Sequence, residues 1–165
     1  MLNFTEYGTQ NDKKSLLIVH GLFGSARNWG VISKRLSDDR HVVTVDMRNH
    51  GESGWHDSHT YADLAGDLAE VIGNFDGNMD VLGHSMGGKL TVATAGVDRR
   101  VKAAAPSCGG ISDRYNRNPL HVRTIGDSPA LKQITCPIIV LSPANDFHGR
   151  IGDLPTAIDE IQSED

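Results

Sequence analysis

The sequence of 165 residues has no long apolar run, no cluster of positive charge and only two cysteines. No stretch approaches the ~20 apolar residues that a membrane-spanning helix needs, and the first residues lack the charged and then apolar pattern of a secretion signal. The 16 basic residues are interspersed among 21 acidic ones, so no basic stripe is present to bind nucleic acid. We therefore expect a cytoplasmic protein that binds neither membranes nor nucleic acid.

The two cysteines, Cys108 and Cys136, are too few and too far apart for a disulfide framework or a zinc site. We expect each to be a small buried residue. His56 and His59 lie three residues apart on a polar loop, and we interpret them as solvated side chains rather than as a metal pair. The sequence therefore predicts no metal and no other cofactor. Its length and its 38% hydrophobic content favour a single domain over residues 1–165.

Apolar runs and helical patterns alternate along the chain. The predicted strands are Ser15–Val19, His41–Val45, Asp80–Leu82, Val101–Ala105 (stopped by Pro106) and Pro137–Leu141. The predicted helices are Trp29–Leu36, one that begins at Thr60 with Asp63 as its capping partner, Leu90–Ala95 and Leu154–Ile161. This alternation predicts a mostly parallel sheet with helices on both faces.

Polar residues follow the predicted strands, at the point where each strand ends. They are His20-Gly21, Asp46, Ser85, Ser107 and Asp146. Because ligands of such sheets bind beyond the carboxyl ends of the strands, we expect these residues to contribute to one site.

The most informative of these positions is Gly83-His84-Ser85-Met86-Gly87, directly after the apolar run Met79–Leu82. It fits the pattern G-x-S-x-G, in which a serine is held on a tight turn between a strand and a helix. The serine there has a strained backbone, and glycines are needed where a β-carbon would collide with its neighbours. The pattern predicts that Ser85 is a nucleophile, which needs a base and a third group that orients the base.

Three motifs in this order and spacing resemble the α/β-hydrolase family, in particular its small bacterial serine esterases. They are His20–Ser25, Asp46–Ser53 and Gly83–Lys89. The segment Ile134–Gly149 is closer to members of the dienelactone-hydrolase and acetylxylan-esterase kind. The resemblance implies an α/β-hydrolase fold, truncated at the C-terminus and with a minimal cap. It also implies a serine carboxylesterase that hydrolyses small, short-acyl esters through an acyl-enzyme.

The resemblance also implies a role for four residues of these motifs. Ser85 matches the nucleophile, and the backbone amides of Leu22 and Met86 match the two donors of the oxyanion hole. Phe23 is expected to line the acyl pocket.

Four other motif residues are expected to be structural. His20 and His84 match positions that support the oxyanion loop and the turn at Ser85. Asp46 and Arg48, at the end of a strand, are interpreted as residues whose hydrogen bonds order the following loop.

The sequence leaves alternatives for the acid and the base of the triad. Asp146 follows the strand Pro137–Leu141 and is the favoured acid, with Asp113 after the preceding strand as the alternative. His148 is the only histidine after Asp146 and is the candidate base. The alternatives are His121, a histidine from another subunit, or no catalysis.

Two other functions remain open at this point. One is a truncated, non-catalytic binding module of hydrolase type, and the other is a dienelactone or C–C-bond hydrolase. Without a further strand, Pro137–Leu141 would form an unpaired edge of the sheet, which invites association. We therefore expect a homo-oligomer that covers this edge, with a small-molecule ester as the substrate.

Overall fold

The computed structural model describes residues 1–108 and 128–141. In order along the chain, its elements are β1 (Phe4–Tyr7), β2 (Ser15–Val19), a 3-10 helix (Ala26–Trp29), α1 (Gly30–Leu36), β3 (Val42–Val45), α2 (Tyr61–Gly73), β4 (Met79–His84), α3 (Met86–Val97), β5 (Val101–Ser107) and α4 (Ser128–Leu131). In these residues the strands form a five-stranded sheet in the order β1-β3-β2-β4-β5. Strands β2 to β5 are parallel, and β1 pairs antiparallel with β3. The predicted mostly parallel sheet is therefore confirmed, although β1 was not predicted.

Both faces of the sheet are covered by helices, because the parallel strands are apolar on both sides. Leu17 and Val19 of β2 point into the larger core, which contains the apolar stripe of α2. Leu16 and Ile18 point to the opposite face, against Trp29 and Leu36 of α1. This two-sided burial is the reason that β2 reads as a continuous apolar run. Among the residues that the structure describes, no helix combines the length and the apolar character needed to cross a membrane.

Helix α2 begins as the sequence predicts, after Thr60. The Thr60 hydroxyl accepts a hydrogen bond from the Asp63 amide, and the Asp63 carboxylate accepts one from the Thr60 amide. Hydrogen bonds from the Ser58 and Thr60 hydroxyls lower the pKa of Asp63 to about 2. An ionised carboxylate at this position also suits the positive end of the helix dipole.

The carboxyl half of the sheet differs from the prediction in two respects. Strand β5 does not stop at Pro106 but continues to Ser107. Ala104 directs both its amide and its carbonyl to residues 137–139, and the Pro106 carbonyl accepts from Leu141 on the same side. The missing N–H of Pro106 faces the same side, so it weakens only the pairing of β5 with residues 137–141. The pairing of β5 with β4 is kept. The predicted strand Pro137–Leu141 is present as two isolated parallel bridges, Ala104 to Ile138 and Ser107 to Leu141.

Three further predictions have different outcomes. Helix α3 begins at Met86 rather than at Leu90, directly after Ser85. Cys136 is buried as expected, whereas Cys108 is only half-buried. The predicted helix Leu154–Ile161 lies outside the described residues.

The loop after β3 is ordered by the carboxylate of Asp46, which is buried. Its oxygens accept hydrogen bonds from the amides of Ala26 at 2.7 Å and Glu52 at 3.0 Å, and from the Asn3 side chain at 3.0 Å. A β-carbon at Gly51 would lie 2.2 Å from the Asp46 carboxyl carbon, so only glycine fits beside it. Asp46 thus joins the N-terminal segment, the 3-10 helix and its own loop.

Arg48, two residues after Asp46, connects this loop to helix α2. Its guanidinium binds the Asp67 carboxylate through two hydrogen bonds, of 2.6 Å from Nε and 2.8 Å from Nη2. A third hydrogen bond, of 3.1 Å, reaches the Ser58 carbonyl. The prediction that Asp46 and Arg48 order the loop is confirmed.

The ionisation of Asp46 makes the stability of the fold depend on pH. Burial alone would raise the pKa of this carboxyl, but hydrogen bonds from the Glu52 and Ala26 amides and the Asn3 side chain outweigh burial and lower the pKa below its usual value. The stabilisation is therefore complete above the pKa of the unfolded chain, ~3.9, and is lost as the pH falls through the lower pKa of the folded state.

We expect Asp46→Asn to lower the free energy of unfolding by about 2–4 kcal/mol at pH 7, because an amide cannot accept all three hydrogen bonds and turns a donor toward a donor. Urea unfolding measures the difference, which should shrink as the pH falls below 4. Asp38→Asn, at an exposed position, is the control and should change stability by less than about 0.5 kcal/mol. Equal effects of the two substitutions would contradict this role of Asp46.

Candidate active site

Ser85 lies between the end of β4 and the first residue of α3, in a strained backbone conformation. Its φ is 57° and its ψ is −118°, a region that residues other than glycine rarely occupy. The Ser85 amide donates to the Ser107 carbonyl at 2.8 Å, and the Ser85 carbonyl accepts from the Gly88 amide at 2.9 Å. The neighbouring strand and the first turn of the helix therefore hold the strained residue from both sides.

The glycines on either side of Ser85 are required by close backbone contacts. A β-carbon at Gly83 would lie 1.9 Å from the Gly87 carbonyl oxygen, and one at Gly87 would lie 2.3 Å from the Val19 carbonyl oxygen. Neither contact is possible for a residue with a side chain unless the backbone moves. The two glycines therefore allow α3 to start directly against the end of β2.

The loop Gly21–Gly24, which we call the β2 loop, lies beside Ser85. A β-carbon at Gly21 would be 3.0 Å from the Ser85 β-carbon, so the two backbones are in close contact. The Gly24 amide donates to the Gly21 carbonyl at 2.9 Å and closes the turn. Phe23, within this turn, has a φ of 61°.

His20, which precedes the β2 loop, is buried and supports it. Its Nε2 accepts a hydrogen bond from the Met47 amide at 3.0 Å, so this nitrogen carries no proton. Its Nδ1 therefore donates to the Gly21 carbonyl, at 2.7 Å. Burial lowers the pKa of His20, which favours this neutral ring. These contacts support the structural role that the sequence predicts for His20.

Ser85 opens onto a cleft of about 460 Å³ whose walls are partly apolar and partly polar. The side chains that line it include Leu22, Phe23, Trp29, Ile32 and His84. The Phe23 side chain is 90% exposed and stands at the rim. The His84 ring packs edge-on against Trp29, with a centroid distance of 6.4 Å. The nucleophile candidate thus faces a cleft in which apolar side chains lie beside polar groups.

Two backbone amides next to Ser85 are available for a negatively charged oxygen. Within residues 1–108 and 128–141, the Leu22 amide has no hydrogen-bond acceptor. The Met86 amide belongs to the first residue of α3, where the helix itself offers no acceptor. The positive end of the helix dipole adds to the potential at this point.

The structure brings some of the predicted site residues together and leaves the others untested. Ser85, Leu22 and Phe23 line the same cleft, and Met86 follows Ser85 directly. The predicted acid Asp146 and base His148 lie outside the described residues, as do their alternatives Asp113 and His121. The acid and the base therefore stay predictions from the sequence.

Sequence reasoning did not identify Trp29 and Ile32 as walls of the cleft. The sequence predicted only that they belong to a helix, Trp29–Leu36, which begins five residues after the end of the β2 loop. The available signal was an apolar residue, Ile32, on the exposed side of a helix close to the β2 loop, which is typical of a residue that lines a cleft. In the described part of the chain, no three His, Cys, Asp or Glu side chains are grouped in a way that could hold a metal ion.

Comparison with known proteins places these features in a family. The model of the family described as "Alpha/beta hydrolase family" matches residues 16–161. The sn-1-specific diacylglycerol lipase ABHD11 of Danio rerio is 38% identical over 97 residues, which are 57% of this chain and 31% of that protein. Esterase YbfF of Escherichia coli (strain K12) is 40% identical over 86 residues, which are 51% of this chain and 34% of that protein. The matched part of the chain spans about a third of the length of these relatives.

A solved structure agrees with the family at the level of the fold. The enol-lactonase from Burkholderia xenovorans LB400 superposes with a TM-score of 0.78 at 17% identity, over 99% of this chain and 86% of that chain. At this identity the likeness is one of fold alone. It confirms the fold class that the three sequence motifs predict.

Proposed function

The chain belongs to the alpha/beta hydrolase family, and on that premise we propose that it is a serine carboxylesterase that forms an acyl-enzyme on Ser85. The observation that carries the proposal is the strained Ser85 at the mouth of the cleft, with the Leu22 and Met86 amides beside it. The relatives named an esterase and a lipase support ester cleavage as the reaction.

In this mechanism the Ser85 hydroxyl oxygen attacks the carbonyl carbon of the ester while a base takes the hydroxyl proton. The carbonyl oxygen becomes an oxyanion and receives hydrogen bonds from the Leu22 and Met86 amides. As the oxyanion collapses, the bond to the alcohol oxygen breaks and the base returns the proton to the alcohol. Water then attacks the acyl-enzyme in the same way and releases the carboxylic acid.

The two backbone donors account for a large part of the proposed rate enhancement. A single donor of this kind contributes about 2.7–4 kcal/mol in enzymes where it has been removed. Because Leu22 and Met86 donate through their backbones, their orientation depends on the conformation of the β2 loop and on the start of α3. The glycines that allow the close contact of these two elements are therefore part of the proposed machinery.

The hydrogen bonds at the carboxyl ends of the strands favour Asp146 as the acid. The Ser85 amide binds the Ser107 carbonyl, and the Cys108 amide binds the Leu141 carbonyl at 2.9 Å. The end of the segment 137–141 therefore lies beside the end of β5, which lies beside Ser85 at the carboxyl ends of the strands. Asp146 follows Leu141 by five residues. Within β5 and Cys108 there is no carboxylate. His148 is proposed as the base because it is the histidine next to this acid in sequence.

We expect a fluorophosphonate to label Ser85 in the wild-type protein and not in Ser85→Ala. Hydrolysis of p-nitrophenyl acetate should fall by several orders of magnitude in Ser85→Ala, to the residual rate that the oxyanion donors alone support, because no other group forms the acyl-enzyme. Peptide mapping by mass spectrometry identifies the labelled residue. Ser37→Ala, which changes a serine at the end of α1, is the control and should keep both labelling and hydrolysis.

Two results would contradict the esterase proposal. Absence of labelling and hydrolysis in a folded wild-type protein would favour the non-catalytic binding module. Labelling at Ser85 without ester hydrolysis would favour a dienelactone or C–C-bond hydrolase, which uses the same nucleophile on another bond.

We expect kcat/KM to be highest for acetate to butyrate esters and to fall with longer acyl chains. The proposed acyl side of the cleft is open, with Leu22 54% exposed and Phe23 90% exposed. An added methylene there gains less than the ~0.8 kcal/mol that full burial provides. A series of p-nitrophenyl esters from two to twelve carbons measures the preference. An optimum at octanoate or longer would contradict a shallow acyl site.

We also propose that the chain self-associates through the side of the sheet that carries residues 137–141. Ile139 is 62% exposed and Leu141 is 43% exposed. An apolar cleft of about 400 Å³ on one face of the sheet is lined by residues 137–139, by strands β4 and β5 and by Leu36 of α1. Among the described residues, the segment 137–141 is bridged to β5 on one side. Exposed apolar surface next to backbone paired on one side is typical of an interface between subunits.

We expect light scattering coupled to size exclusion to give a mass well above the 17.8 kDa of one chain. Ile139→Lys should lower that mass toward a monomer, because it puts a charge at the centre of the proposed interface. Val97→Lys, at a position that is 64% exposed at the end of α3, is the control and should leave the mass unchanged. A wild-type monomer would refute the proposed association.

A further inference from the structure

Three histidine rings form a row beside the β2 loop. His50 lies between the other two, with ring centroids 5.0 Å from His20 and 5.8 Å from His59. His20 supports the β2 loop from within the core, as described above. The middle ring, His50, contacts the Phe23 amide of the same loop, whereas His20 contacts the Gly21 carbonyl. His50 has no part in the proposed chemistry.

The hydrogen bonds of His50 define which of its nitrogens carries the proton. Its Nδ1 lies 2.9 Å from the Arg48 carbonyl oxygen, and because a carbonyl only accepts, Nδ1 must be the donor. Its Nε2 lies 3.3 Å from the Phe23 amide nitrogen, which only donates. A neutral ring with the proton on Nδ1 satisfies both contacts. The lone pair on Nε2 is thus used by a backbone amide of the β2 loop.

The Phe23 amide needs such a partner because, among the described residues, the Phe23 side chain adds little to the Gly21–Gly24 turn that holds it. Its φ of 61° is unfavourable for a residue with a side chain. Its side chain is 90% exposed, so packing in the described residues does not compensate. The Phe23 amide also belongs to the peptide group that directly follows Leu22. Fixing this amide therefore limits the rotation of Leu22, whose own amide is a proposed oxyanion donor.

His50 is itself held firmly, so it can act as a fixed point. Its amide donates to the Met47 carbonyl at 3.0 Å, and its carbonyl accepts from the Ser53 amide at 3.1 Å. Arg48, whose carbonyl accepts from the His50 ring, is bound through two hydrogen bonds to Asp67 of α2. The position of the ring thus derives from helix α2 and from the end of β3.

We propose that His50 is a positioning residue, whose Nε2 accepts the Phe23 amide proton and thereby keeps the Leu22 amide aligned with Ser85. It acts through Phe23 and Leu22 and does not touch the substrate. The inference rests on the proposed function, in which Leu22 donates to the oxyanion. It differs from a role in packing alone, for which only the shape of the ring would matter.

Two substitutions separate the acceptor from the ring. His50→Gln keeps an oxygen acceptor near the position of Nε2 and removes the ring, whereas His50→Phe keeps a ring between His20 and His59 and removes the acceptor. We expect His50→Phe to lower kcat for p-nitrophenyl acetate at least tenfold with little change in KM, because the oxyanion forms only after the substrate has bound. We expect His50→Gln to stay within threefold of the wild type.

The control is His56→Phe, which changes an exposed histidine of the same loop outside the row. It should leave kcat unchanged. Urea unfolding of all variants verifies that each is folded under the assay conditions. Full activity in a folded His50→Phe variant would overturn the proposal, and so would equal losses in His50→Phe and His50→Gln, which would indicate packing.

A measurement that needs no activity tests the hydrogen bond itself. Exchange of the Phe23 amide proton with water, followed by NMR, should be faster in His50→Phe than in the wild type and in His50→Gln. Unchanged exchange in His50→Phe would refute the anchoring whatever the kinetics. If the exchange changes as expected but a fluorophosphonate does not label Ser85, the anchoring stands and the esterase proposal fails.

Discussion

The rest of the structure depends on the backbone contact between the first turn of α3 and the end of β2. A β-carbon at Gly87 would lie 2.3 Å from the Val19 carbonyl oxygen, so this contact exists only because the residue is glycine. It forces the chain through the strained conformation of Ser85 and brings the β2 loop against the nucleophile candidate. The same contact turns the amide end of α3 toward the cleft, where an oxyanion would be stabilised. A single close approach therefore sets the positions of both the proposed nucleophile and the proposed donors.

The loop after β3 is the second constraint, and its effect is electrostatic. The buried Asp46 carboxylate joins the 3-10 helix, the N-terminal segment and its own loop through charge-assisted hydrogen bonds. Arg48 ties the next residues to α2. His50 binds the Arg48 carbonyl on one side and the Phe23 amide of the β2 loop on the other. It therefore connects this ordered loop to Phe23. Residues of the motif Asp46–Ser53 thus support the site from behind without lining the cleft.

Much of the fold was predictable because parallel strands buried on both faces have long apolar runs, as β2 and β3 do. The start of α2 was predictable because Thr60 and Asp63 form a local capping box. Strand β1 was missed because Phe4–Tyr7 is a short edge strand with two exposed polar residues, which leaves little apolar signal. The end of β5 was predicted wrongly because the cost of a proline depends on which side its missing N–H faces, and only the sheet order decides that.

By itself the sequence determined the nucleophile candidate, the glycines around it and the alternation of strands and helices from β2 to β5. These are local properties, set by side-chain size and by the period of apolar residues. The tertiary structure alone decided which distant groups meet: the hydrogen bond between Phe23 and His50 spans 27 residues, and the bond between Asp46 and Ala26 spans 20. Both contacts arise because β2 and β3 are parallel neighbours, so that the loops after them leave the sheet side by side. No local pattern encodes that adjacency, since it follows from the pairing of strands that are far apart in the chain.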